Sequence, residues 1–136
     1  MENIEFKGIR IDNGKWAYGY FFKSWDNCYI LHGTVNGVPV MVEVIPETVC
    51  QWTGLFDKNK TKLYDGDKFQ YRKHDGYWFD DFIGVVGFKD GSFGFTVIGE
   101  ASTGYFVPFS KVDELQEDFL DHIEVIGNIY DKNKQS

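Results

Sequence analysis

The sequence has little of what usually announces a chemistry. Two cysteines, Cys28 and Cys50, occur in 136 residues. They are too few for a disulfide scaffold and too far apart for a CxxC pair, so they read as free, partly buried thiols of a reducing compartment. Neither has a His or Lys beside it in sequence to lower its pKa, which argues against a nucleophile. No stretch approaches the ~18 consecutive apolar residues of a membrane span. Met1 to Arg10 has no apolar core of a signal peptide, so the expected location is cytoplasmic. There is no Gly-x-Ser-x-Gly elbow and no Gly-rich loop ending in Lys-Ser/Thr, which leaves nucleophilic hydrolysis and phosphate cradling without support. His74-Asp75 and Asp80-Asp81 sit in one loop with no fixed spacing and read as solvated polar residues, not metal ligands. His32 and His122 are isolated and read as packing or hydrogen-bonding residues. No enzyme, cofactor or metal is expected.

Positive charge is also scarce. The net charge is -7. Residues 1–60 hold 6 Lys/Arg against 7 Asp/Glu, and the remainder holds 8 against 14. Such a chain makes a poor general binder of phosphate backbones, which need a basic surface to release counterions. It suits a soluble protein with cationic partners.

What the sequence does have is aromatic residues and glycine. Aromatics make up 18% of the chain, and there are 15 glycines against 3 prolines. Large flat side chains let a small module build a core, and glycines supply tight turns between strands. Lys15 to Phe22 places Trp16, Tyr18 and Tyr20 on one face at period two. Cys28–Val35 and Val38–Ile45 flank Asn36-Gly37, the strongest two-residue hairpin signal, and Pro46 ends the ladder. Residues 15–45 therefore read as a three-stranded meander. Asp57 to Lys60 and Asp65-Gly66-Asp67 are turn-like and mark a boundary between residues 1–60 and 61–136. The second part reads as a small barrel. Its strands are Phe69–Arg72, Ile83–Phe88, Phe93–Ile98, Tyr105–Val107 and Ile123–Tyr130. A helix over 110–120 begins at Ser110 as N-cap, with Val112, Leu115, Phe119 and Leu120 on its buried face. The fold class is mostly β with one short helix.

Three stretches resemble the YopX-like family of phage and prophage proteins. They are Trp16-Ala17-Tyr18-Gly19, then Gln51-Trp52-Thr53-Gly54-Leu55-Phe56-Asp57-Lys58-Asn59 with Leu63-Tyr64-Asp65-Gly66-Asp67, and finally Glu124 to Tyr130. Lys60 stands where that family usually has Gly, Leu63 replaces Ile, and Asp65 and Asp131 replace Glu. The resemblance implies a mostly β protein with a C-terminal SH3-type barrel, homo-oligomers and a phage or prophage origin. It implies no activity and carries over no site residues. For the matched residues, positive φ is expected at Gly54 and Gly66, turn capping at Asp65 and Asp67, and packing between the two halves at Trp52 and Tyr64.

Two candidate interaction surfaces follow. In an SH3-type barrel the long loop after the first strand lines the ligand groove, and here that loop carries Tyr77, Trp78 and Phe79. Three large apolar residues in a row fit burial, a subunit interface or a partner. The second surface is the acidic run of Asp113, Glu114, Glu117, Asp118, Asp121 and Glu124, which reads as a solvated face or as a patch for a basic partner. The expected function is a non-enzymatic, self-associating module that binds a host or phage protein. The alternative is a nucleic-acid accessory factor, which would need Lys68, Arg72, Lys73 and Lys89 gathered in one stripe.

Overall fold

The computed structural model describes residues 4–72, 80–98, 105–115 and 118–131, with backbone alone at 113–115. The chain forms two compact units, Met1–Gly54 with Tyr130–Ser136, and Leu55–Ile129. Both are antiparallel β structures, and the described residues hold one α-helix.

The first unit is built on the expected meander, β2 (Trp16–Ser24), β3 (Asn27–Val35) and β4 (Val38–Val44). Asn36 and Gly37 have φ of 53° and 79°, the left-handed pair of a type I′ turn. A short strand that sequence periodicity does not mark, β1 (Phe6–Ile9), pairs with β2 on one side. On its other side it pairs with β5 (Cys50–Phe56). The sheet then curls on itself. Ile11 N–H donates to Glu43 O at 3.1 Å and Ile45 N–H donates to Ile9 O at 2.8 Å. The end of β4 is thereby covered, and only its outer half is an open edge. By period-two alternation, Pro39 has its nitrogen on that open side with Met41, where a missing N–H costs no ladder bond.

One face of this sheet closes over Ala17, Cys28, Ile30 and Val44, with Phe6 and Phe21 packed on them. Gly8 lies on the same face, and a Cβ there would stand 3.0 Å from Val44 Cβ, so a larger residue would make the Val44 side chain give by a few tenths of an ångström. Cys50 is the cross-strand partner of Lys7, one residue out of phase with Gly8, so Cys28 and Cys50 occupy opposite faces. A single 3-10 turn, Pro46–Thr48, joins β4 to β5. Its buried Thr48 hydroxyl accepts from Ile9 N–H at 2.9 Å and donates to Ile45 O at 2.7 Å, pinning the turn to β1.

In the second unit, β6 (Lys62–Tyr64) returns from β5. The five-stranded sheet comprises β7 (Asp67–Tyr71), β8 (Phe82–Lys89), β9 (Ser92–Ile98), β10 (Phe106–Pro108) and β11 (Ile123–Asn128). Its order is β10-β9-β8-β7-β11, so the last strand returns beside the first, an order consistent with an SH3-type barrel. Asp90-Gly91 makes the β8–β9 turn with φ of 53° and 82°.

The core of this unit is an aromatic stack. Phe119 lies 5.3 Å from Tyr71 and 5.5 Å from Phe95 with nearly parallel rings, and Phe69 meets Phe95 edge-on at 5.3 Å. Each such pair adds about 0.5–1.5 kcal/mol beyond area burial. That packing also revises the helix. The span expected over 110–120 is two elements, α1 (Phe109–Leu115) and a 3-10 turn (Phe119–His122), with Ser110 inside α1 and not capping it. Asp118 leaves helical geometry at φ -103°, ψ 24°, and Phe119 enters the stack from the turn that follows.

Candidate interaction surface

The first sheet buries one face and leaves much of the other to solvent. On β2 the core side carries Ala17 and Phe21, so Tyr18, Tyr20 and Phe22 take the opposite side. Tyr20 pairs across to Leu31, and Leu31 to Met41. Tyr18 is 48%, Tyr20 64% and Met41 56% exposed. Phe22 and Tyr29, opposite one another, stack at 5.3 Å on the same face. Beyond them, at the β2–β3 turn, Trp25 is 94% exposed. The aromatic run that sequence periodicity places on one face is therefore in large part an outer face. Towards β1 the same side is covered: Lys7 is buried with its Nζ 4.5 Å over the Trp16 ring, and Trp16 Nε1 donates to Asp131 Oδ1 at 3.4 Å.

A second constellation, in the other unit, is polar and buried. Asp57 Oδ1 accepts from the N–H groups of Asn59 and Thr61 at 2.8 and 2.9 Å, and its Oδ2 accepts from Val125 N–H at 2.9 Å. One carboxylate thus closes its own turn and ties it to β11. Lys58 N–H adds a bond to Ile123 O at 3.0 Å, so the outer edge of β11 is capped. Asp67 does the same at the next turn. Its Oδ2 accepts from Tyr64 N–H at 2.8 Å and its Oδ1 from Asn128 Nδ2 at 2.9 Å. Gly66, at φ 87°, donates to Val86 O and accepts from Ile129 N–H. Gly54 also has positive φ, at 90°. Charge-assisted bonds from buried carboxylates to backbone N–H groups are strong. This arrangement fastens strands.

These are the residues that carry the sequence motifs, and the comparison with known families agrees with them. The family model described as YopX protein matches residues 7–134. The chain belongs to the YopX family. Among curated proteins none matches it. Among solved structures, it is similar to the crystal structure of protein EF1440 from Enterococcus faecalis. The TM-score is 0.53 at 17% identity, over 99% of each chain. At that identity the likeness concerns the fold alone.

The motifs of this YopX-family chain are thus read physically as its fasteners. The family's usual Gly in the Asp57 turn is replaced by Lys60, yet Lys60 keeps a φ of 66°. A side chain thus stands in a conformation that favours glycine. Asp67 caps as expected, whereas the central role of Asp57 was not foreseen beyond its turn-forming character. Its signal was the Asp-x-Asn spacing, an Asx-turn pattern.

Of the residues singled out as candidate surfaces, Tyr77, Trp78, Phe79 and Glu117 lie outside the described residues. Asp113 and Glu114 fall on α1, where only the backbone is described. Asp118 is partly buried and its Oδ2 lies 3.2 Å from His122 Nε2. Asp121 is exposed, and Glu124 stands 3.7 Å from Lys58 Nζ. Lys58 therefore stands beside one acid of the run and the His122 ring beside another. Among the described residues no group of three His, Cys, Asp or Glu side chains could hold a metal, and no helix is long and apolar enough to cross a membrane.

Proposed function

We propose that this protein is a non-enzymatic, self-associating interaction module, encoded by a phage or prophage and working in the bacterial cytoplasm. The observation that carries the reading is the outer face of β2–β4. Tyr20, Leu31 and Met41 run across it in register, and the only charged residue among the paired positions there is Glu43. A contiguous exposed apolar patch is costly for a chain that acts alone and marks a surface that meets another protein. The motif residues support the same reading, because their polar groups are spent on holding strands together.

The nucleic-acid alternative is less well supported. Of the cations it needs, Arg72 is paired with Asp81 at 3.3 Å. The acidic balance of the second half opposes a phosphate backbone.

Light scattering at micromolar concentration tests self-association: a mass of at least two chains is expected, and a mass of 15.8 kDa, that of one chain, would overturn it. A tagged pull-down from the bacterial host, with and without nuclease, tests the partner class. Proteins retained after nuclease treatment fit the proposal, and partners lost with nuclease return the nucleic-acid reading.

A further inference from the structure

We infer that Trp25, at the tip of the β2–β3 hairpin, is the anchor by which one copy of the chain grips a second; the inference rests on the self-association proposed above. The first ground is conformational. Ser24 pairs with Asn27, so Trp25-Asp26 is a two-residue loop, with positive φ at Trp25 (58°) but not at Asp26. Positive φ at the first central residue alone is the pattern of a type II′ turn, a position that ordinarily takes glycine. The other two-residue hairpin turns described here use Asn36-Gly37 and Asp90-Gly91, residue types suited to their backbones. An aromatic side chain in the left-handed region is strained, and such strain persists where function retains it. The second ground is burial. Almost fully exposed, the indole contributes next to nothing to the core of its own chain. Trp25 therefore carries a conformational cost and a solvation cost with no return inside the monomer. Tryptophan is among the residues most enriched at the centres of protein interfaces.

A second copy is the occupant that area and charge favour. Trp25, Tyr20, Tyr18 and Met41 together expose about 500 Å² of side-chain surface, taking roughly 200 Å² per large side chain. A stable interface needs about 800 Å² from each partner, and its apolar share is about 60%. The patch alone supplies that share. Charge points the same way. Two copies at -7 repel one another, but the repulsion is concentrated in the second half, where 14 acids face 8 bases. The first 60 residues are nearly neutral and bring copies together with the least like-charge cost.

The test pairs two readouts of opposite sign. Trp25→Gly removes the anchor and supplies the residue the turn prefers. It is expected to weaken self-association about 30-fold or more, the scale of an interface hot spot. In thermal melts recorded at a dilution where wild type and variant are both monomeric, the same variant is expected to melt at an equal or higher temperature. Trp25→Phe keeps an aromatic anchor and should retain part of the association. A wild-type monomer at all concentrations would overturn the self-association reading itself. A wild-type oligomer that Trp25→Gly leaves intact would overturn only the anchor. A Trp25→Gly chain that melts lower or fails to fold would show that the indole serves the monomer, and would also overturn it.

Discussion

At the scale of single residues, the most informative position is Lys60. It holds a φ of 66° in the turn that Asp57 organises, with its N–H donated to Asp57 O at 3.0 Å. A residue with a Cβ in that region is costly, and glycine is not. Lys60→Gly is therefore expected to stabilise the protein by about 0.5–1 kcal/mol, after allowance for the greater freedom of glycine in the unfolded chain. Urea denaturation would measure it as a raised midpoint at unchanged slope, and a lowered midpoint would mean that the Lys60 side chain makes a compensating contact. The position itself was legible from the sequence, because the YopX pattern has Gly there. The consequence was not, since a sequence pattern does not say whether a departure reshapes the loop or strains it. Asp57 shows the same limit. Its turn could be read from Asp-x-Asn, but its bond to Val125 N–H spans 68 residues of sequence and is visible only in three dimensions.

At the scale of elements, most of what rests on neighbouring residues stands in the structure as expected, the Ser110 N-cap being an exception. The three strands of the meander, the Asn36-Gly37 turn and the strands β8 and β9 all rest on residues within a few positions of one another. β1 escaped because four residues with a Lys and a Gly at their centre carry no periodic signal; it exists because β2 and β5 offer it partners on both edges. The helical spacing of Val112, Leu115 and Phe119 runs past the end of α1, because Phe119 keeps that spacing even though Asp118 has left helical geometry. Glycines inside the second sheet give a test of packing between elements. A Cβ on Gly94 would lie 2.3 Å from Val107 O and 2.8 Å from Pro108 Cα, both backbone atoms of β10. A Cβ on Gly87 would find only Phe106 Cε1, at 3.6 Å. Gly94→Ala is expected to cost about 3 kcal/mol by forcing β9 and β10 apart, whereas Gly87→Ala should change stability by less than about 0.5 kcal/mol. Equal midpoints for the two variants in thermal denaturation would refute the account.

At the scale of the whole molecule, the chain combines a strongly acidic balance with an apolar outer face on its first unit. Those two facts make opposite demands on salt. If copies meet through Tyr20, Met41 and Trp25, added salt screens the repulsion between molecules of charge -7 and leaves the apolar contact intact. Sedimentation at low and high ionic strength should then show association unchanged or strengthened by salt. Association that salt weakens would instead point to ion pairs, and so to the acidic run around Asp118 and Asp121.

Fold class, family and most of the strands follow from the amino-acid order alone, because turns, alternation and motif residues act over short distances along the chain. Which face of the aromatic strand is buried, what the motif carboxylates bind, and that a tryptophan stands strained and exposed at a hairpin tip emerge only once the chain has folded. Alternation gives two faces but not which of them meets a neighbour, and a carboxylate's partners are set by where distant strands arrive. Those choices belong to packing, and packing is a property of the folded chain.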